Sequence, residues 1–303
     1  MSAPARVGII GTGLVGTGWA AVFAAAGAEV RLWDENPAAI SVAAVLSAVE
    51  EMRRAGLAQR PDSLRVTAVA SLQDAVAQAD WVQESVAERL EVKQAVFAAL
   101  DCVAPEGAVL ASSTSMLPCS AFAAGLAGRG RCLVAHPANP PHLMPVVELV
   151  PPPWHEPAFL ARCRAALAAA GRVPVVLQRE VPGFAMNRLQ AALAAEALRL
   201  VADGTISPAD LDSVMRHSLG LRWAFMGPFE TMDLNAPAGF AEYAERYGPG
   251  FDALGIGAPV WSEAAVRQVA QSRRAALPAE EIGARRRWRD EMLVRLLAAR
   301  GAV

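Results

Sequence analysis

A turn near the amino terminus restricts what this chain can fold into. Residues 7–10 are a short apolar run that reads as a buried strand. Gly11, Thr12, Gly13, Leu14, Val15 and Gly16 then spell G-x-G-x-x-G, and residues 19–26 read as the following helix. Each glycine has a separate reason to be there. Gly11 permits the tight turn, Gly13 lets backbone N–H groups reach a pyrophosphate, and Gly16 lets helix pack closely on strand. The start of the helix adds unpaired N–H groups and partial positive charge. A second strand, residues 29–33, ends at Asp34. A carboxylate there accepts hydrogen bonds from an adenosine ribose, and neither Glu35 nor Asn36 offers the cation a 2′-phosphate would need. The cofactor expected is NAD, not NADP.

The next 150 residues alternate. Strands are expected at 65–69, 80–84, 108–111, 131–135, 146–150 and 173–177, with helices at 37–56, from Ser71, and at 86–100. Such alternation makes an α/β fold with a doubly wound, mostly parallel Rossmann-type sheet. At Val181, Pro182 and Gly183 the character changes, and every later element reads as helix. These helices are expected at 184–201, from Ser207 to about Leu219 with Gly220 as the stop, from Pro228, at 261–274 and at 278–300. The chain therefore divides into a nucleotide-binding domain, 1–182, and a helical domain for substrate and dimerisation, 183–303.

Composition excludes several other classes. The 28 basic and 30 acidic residues leave a formal charge of −2, with no bulk attraction to nucleic acid or an anionic membrane. Residues 7–28 carry no charge, but six of the 22 are glycine, which the turn explains and a membrane helix does not. No targeting segment is read there, so a cytoplasmic location is expected. Cys102, Cys119, Cys132 and Cys163 show no C-x-x-C spacing, so free thiols and no metal site are expected. The run from Arg285 to Arg289 is diluted by Glu280, Glu281, Asp290 and Glu291 and reads as a solvated helix face.

Sites in open α/β sheets lie beyond the carboxyl ends of the strands. Three ends here are polar: Ser112 to Ser115, His136 to Pro141, and the lone carboxylate Glu148 within the apolar run 145–150. A buried Glu148 needs a partner. If the chain folds back after residue 136, His136 could be that partner, one ring nitrogen held and the other left to exchange a proton. The alternative is an edge-strand Glu148 and a histidine bonded to backbone. Asn187, one turn into the helix after Gly183, is either a ligand-facing amide or a surface one.

Taken together these stretches resemble the 3-hydroxyacyl-CoA dehydrogenase superfamily across nearly the whole chain. The carrying motifs are the glycine turn, Glu88 to Lys93, Ser113-Thr114-Ser115, His136 to Pro140, Val147 to Val150, Pro182-Gly183-Phe184 with Asn187-Arg188, and Met226 to Glu230. Within it, His136 to Pro141, Val147 to Pro151 and Gly220 to Pro228 look most like the branch of lambda-crystallin and L-gulonate 3-dehydrogenase. The resemblance implies that His136 is the acid/base, that Glu148 orients it, and that Ser115 and Asn187 bind the reacting oxygen. It further implies contacts to NAD from Gly11, Gly13, Leu14, Val15, Gly16, Asp34, Glu88 and Lys93. Arg222 is either the holder of the carboxylate of a free 3-hydroxy acid such as L-gulonate or a surface or helix-end arginine, the rival substrates being a CoA thioester and carnitine. A homodimer through the helical domain is the family habit.

Overall fold

The computed structural model describes residues 2–58, 64–256, 263–285, 287–288 and 292. The chain forms two compact units, Met1–Ala191 and Ala192–Val303. The first holds an eight-stranded sheet in the order β3-β2-β1-β4-β5-β6-β7-β8. Its strands are β1 (Arg6–Ile10), β2 (Glu29–Trp33), β3 (Arg65–Ala68), β4 (Trp81–Glu84), β5 (Val109–Ser112), β6 (Cys132–Pro137), β7 (Val146–Val150) and β8 (Val173–Val176). Every neighbouring pair is parallel except β6 with β7.

Successive side chains on a strand point to opposite faces, and both faces here are covered. Ile9, Trp81, Leu133 and Leu149 pack with Trp19 and Phe23 of helix α1 (Leu14–Ala25) and Val45 and Val49 of α2 (Val42–Arg54). Their neighbours Ile10, Val82, Val134 and Val150 turn to the other side. There they meet α3 (Leu72–Val76), Phe97 and Leu100 of α4 (Leu90–Val103), Phe122 of α5 (Cys119–Ala123), and Phe184. The first face also receives α6 (Pro157–Ala169) through Cys163 and Leu167. Counting by twos from Val82, Leu110, Val134 and Val150 puts Glu84, Ser112, His136 and Glu148 on the second face, all at the end of the sheet beyond Gly11.

Several expected helix bounds differ from those observed. The helix expected at 37–56 is a 3-10 turn, Pro37–Ala39, followed by α2, which starts afresh where the Ser41 hydroxyl caps the Ala44 N–H, and the helix expected at 184–201 starts at Met186, since Phe184 has φ +50°. The helix expected from residue 86 begins at Leu90, after an extended Arg89 at φ −131° as its N-cap; ahead of it the Val86 N–H is bonded at 2.7 Å to the Glu84 carboxylate. Gly220 does not stop a helix. Its φ of −62° is right-handed. The chain runs from α8 (Pro208–Val214) through a π-helical turn, Met215–Leu219, into α9 (Gly220–Trp223). A Cβ at Gly220 would stand 2.9 Å from the Met215 carbonyl oxygen, so the wide turn, not a C-cap, demands the glycine.

Helix α7 (Met186–Ala202) leaves the first unit and enters the second. In the second unit Ser207 caps α8 as expected, its hydroxyl accepting the Asp210 N–H at 3.1 Å. There α10 (Pro228–Leu234), α11 (Phe240–Ala253) and α12 (Glu263–Ala276) share a buried charge. Asp233, fully buried, accepts the Phe240 N–H at 2.8 Å and faces Arg273 and Arg274 of α12. Trp261, the later part of the helix expected at 278–300, and Arg286 and Arg289 lie outside the described residues.

Candidate active site

The glycine turn has the form its spacing requires. Gly11 has φ +88°, and a Cβ there would stand 2.6 Å from the Ser85 carbonyl oxygen. At Gly16 the Cβ would come within 1.9 Å of the Gly11 carbonyl oxygen. Gly13 differs: among the described residues no atom lies within 4 Å of its Cβ position. It is also the N-cap of α1, and no side chain caps that helix. Open space above an uncapped helix start is where an anionic pyrophosphate fits. Leu14 is exposed and Val15 half-buried beside it. Thr12 was not singled out from sequence, yet its N–H and hydroxyl bind Asp34 Oδ2 at 2.7 and 3.1 Å. The Asn36 N–H binds Oδ1 at 3.0 Å. Asp34 is thus pinned at the strand end with lone pairs left for a ribose. These residues fit NAD.

Strands β6 and β7 place His136 directly opposite Glu148. Histidine Nδ1 lies 2.8 Å from Glu148 Oε2, with both side chains buried. The other carboxylate oxygen, Oε1, accepts the N–H groups of Ala185 and Met186, each at 2.9 Å. Burial pushes the Glu148 carboxyl up, but the His136 hydrogen bond and these two N–H groups together hold it below the ordinary carboxylate range. Phe184 packs its ring on His136, centroids 5.4 Å apart. Phe184 itself has φ +50°, a left-handed conformation rare for a bulky residue, directly after Gly183 at φ +73°. That kink aims the start of α7 at Glu148. Among the described residues no hydrogen bond to His136 Nε2 is found, while Nδ1 is held by Glu148.

Ser115 lies on the loop after β5, and Asn187 reaches it: the amide Nδ2 donates to the Ser115 carbonyl at 2.9 Å. Since Met186, its neighbour, is bonded to Glu148, the structure gathers Ser115, Asn187, Glu148 and His136 into one locality. Glu88 holds the same loop, accepting the N–H groups of Ser115 and Met116 at 3.0 Å each and the Thr114 hydroxyl. Burial raises its carboxyl, but the Thr114 hydroxyl, the Lys93 charge and these N–H groups outweigh that and lower it. Lys93 is almost fully buried behind Glu88, its ammonium 2.9 Å from Glu84 and 3.3 Å from Glu88. Its surroundings are carboxylates, so any effect on the cofactor passes through Glu88. Arg222 lies in the second unit on α9, half-buried and within electrostatic range of Tyr243. Among the described residues no three His, Cys, Asp or Glu side chains gather as metal ligands.

Sequence reading missed Thr12, Glu84 and Phe184. Thr12 and Phe184 lay within motifs already marked, and Glu84 is an acid ending an apolar strand, the same signal that marked Glu148.

Residues 6–181 match the family model of the 3-hydroxyacyl-CoA dehydrogenase NAD binding domain, and residues 183–270 that of the 3-hydroxyacyl-CoA dehydrogenase C-terminal domain. The chain is 46% identical to the lambda-crystallin homolog of Bos taurus over 97% of its own length and 95% of that protein. It is 41% identical to the L-carnitine dehydrogenase of Streptomyces griseus, over 80% of this chain and 74% of that one. Among solved structures it is similar to 5-formyl-3-hydroxy-2-methylpyridine 4-carboxylic acid 5-dehydrogenase, an NAD+ dependent dismutase. The TM-score is 0.76 at 28% identity, covering 96% of this chain and 99% of that one.

Proposed function

The chain belongs to the 3-hydroxyacyl-CoA dehydrogenase family and is an NAD-dependent dehydrogenase acting on a 3-hydroxyl group, and from that premise we propose that it oxidises a free 3-hydroxy acid of the L-gulonate kind with His136 as acid/base. The observation that carries the role of His136 is its buried 2.8 Å bond to Glu148. That bond holds the Nδ1 proton and leaves the Nε2 lone pair to take a proton from the substrate hydroxyl. NAD, when bound at the glycine turn, supplies the acceptor for the hydride that leaves C3. Glu148 stabilises the imidazolium as it forms, and its bonds to Ala185 and Met186 keep it aimed. The Ser115 hydroxyl and the second N–H of Asn187 hold the oxygen as it becomes a carbonyl. Glu88 and Lys93 act on the cofactor side by fixing the Ser115 loop.

The free-acid reading is supported by Arg222 and by two relatives. L-carnitine is itself a free 3-hydroxy acid, and the dismutase is named for a pyridine carboxylic acid. A guanidinium pairs a carboxylate through two parallel hydrogen bonds, and a CoA thioester has no carboxylate near the reacting carbon. NADH formation should be fastest with L-gulonate in a panel that also holds 3-hydroxybutyrate, L-carnitine and 3-hydroxybutyryl-CoA. Arg222→Met should raise KM for the preferred acid about 10- to 100-fold, the worth of one charge-assisted hydrogen bond. An unchanged KM would remove Arg222 from this role.

Domain roles and assembly follow the same reading, with the helical region 183–303 serving substrate and self-association. No residue of α7 is buried, and Leu189 and Leu193, one turn apart, are exposed on one face of it, with Leu198 exposed on the other. Exposed apolar side chains of this kind favour a homodimer. The four free cysteines fit a reducing, cytoplasmic setting, and burial pushes the thiols of Cys132 and Cys163 up to about 12.

A further inference from the structure

One buried carboxylate has no part in the chemistry above. Glu84 ends β4 and is fully buried, and it is saturated with donors. Lys93 Nζ lies 2.9 Å from Oε1 and 3.1 Å from Oε2. The Ser112 hydroxyl donates to Oε2 at 2.6 Å and the Val86 N–H to Oε1 at 2.7 Å. Packed apolar side chains would hold this position as well as an ion pair does, since taking two charges out of water is costly. The pair therefore needs a reason beyond stability, and its third member supplies one. Lys93 also reaches Glu88 Oε2 at 3.3 Å. Glu88 then turns Oε1 to Thr114, Ser115 and Met116. The Ser115 carbonyl in turn accepts Asn187. A continuous path thus runs from the core end of β4 to both side chains assigned to the substrate oxygen. It also touches the cofactor turn, because the Ser85 N–H bonds the Ile10 carbonyl at 2.7 Å and the Ser85 carbonyl fills the space beside Gly11.

We propose that Glu84 is a positioning residue. By binding the Lys93 ammonium with both of its oxygens it holds that charge 3.3 Å from Glu88 Oε2, and this ion pair fixes the Glu88 carboxylate under the loop that presents Ser115. Without the Glu84 charge, Lys93 is left with Glu88 as its one counter-ion and draws that carboxylate away from the Ser115 and Met116 N–H groups. The inference rests on the role given to Ser115 above.

Glu84→Gln keeps the shape and removes the charge. Its Ser115 and Met116 amides should exchange hydrogen at least about 10-fold faster than in the wild type. Turnover per NADH-binding site should fall at least about 10-fold, with a smaller change in NADH affinity. If that variant does not fold, Glu84→Asp keeps the charge but draws it back from Lys93, leaves the Ser112 hydroxyl that holds the Thr114 N–H in place, and should shift both readouts the same way by less. A lowered melting temperature with unchanged loop exchange and unchanged turnover per binding site would make Glu84 a packing residue and overturn the proposal. Exchange needs no turnover: a wild type inert toward every acid in the panel refutes the substrate reading and leaves the loop test standing.

Discussion

His136→Ala is expected to lower kcat for the 3-hydroxy acid by about 10²- to 10⁴-fold, the range a positioned acid/base contributes. NADH affinity should change less than about 3-fold, under 1 kcal/mol. The two readouts separate because the parts are separate. The imidazole sits at the end of β6 and hydrogen-bonds Glu148, whereas the cofactor turn is built from β1, α1 and the end of β2. Glu148 adds a second consequence. Removing the imidazole leaves its Oε2 without the His136 bond, while Oε1 keeps Ala185 and Met186. The variant should therefore fold with α7 still anchored. Stopped-flow NADH formation and a fluorescence titration of NADH decide the matter together. Wild-type turnover in the variant would strip His136 of the role.

Gly13→Ala should weaken NAD binding at least about 10-fold, or 1.4 kcal/mol, and leave the melting temperature within about 2 °C. The backbone there has φ −65°, which alanine adopts freely, and no neighbouring atom among the described residues opposes a methyl group. Alanine is a poorer N-cap than glycine by roughly 1 kcal/mol, which in a chain of this length moves the melting temperature by no more than about 2 °C. The added carbon meets resistance only from the pyrophosphate. Gly16→Ala supplies the contrast. Its methyl group would strike the Gly11 carbonyl oxygen at 1.9 Å, so backbone must move, at about 1–3 kcal/mol of stability. Binding and melting temperature should fall together in that variant. Calorimetric titration with NAD beside a thermal melt distinguishes the two, and full affinity in Gly13→Ala would move the pyrophosphate elsewhere.

Much of this was legible from residue order, for identifiable reasons. β2 and β7 occupy the residues expected because local apolar runs set both. The His136–Glu148 pair was readable as a possibility, since a lone carboxylate on an apolar strand wants a partner. Choosing between the paired and the unpaired reading needed the register of an antiparallel pair, which spacing does not supply. What stayed hidden were bonds between a side chain and distant backbone. The Glu84 carboxylate holds the Val86 N–H ahead of α4, and the capture of Ala185 and Met186 by Glu148 ties α7 to the site. Gly220 misled because a glycine needed for close approach in a π turn looks the same in sequence as one that ends a helix. Lys93 fits a cofactor motif by position, and its burial beside Glu84 and Glu88 was not readable from that motif.

The most direct test follows a labelled hydrogen. Wild-type enzyme is given NAD and a 3-hydroxy acid carrying deuterium at C3, and the products of a single turnover are examined by mass spectrometry and NMR. Transfer to the nicotinamide ring, with the deuteride step slowed and the 3-oxo acid formed in equal amount, is the expected result. Bound nucleotide with the label still on C3, or label released to water, would contradict a hydride transfer assembled around His136, Glu148, Ser115 and Asn187.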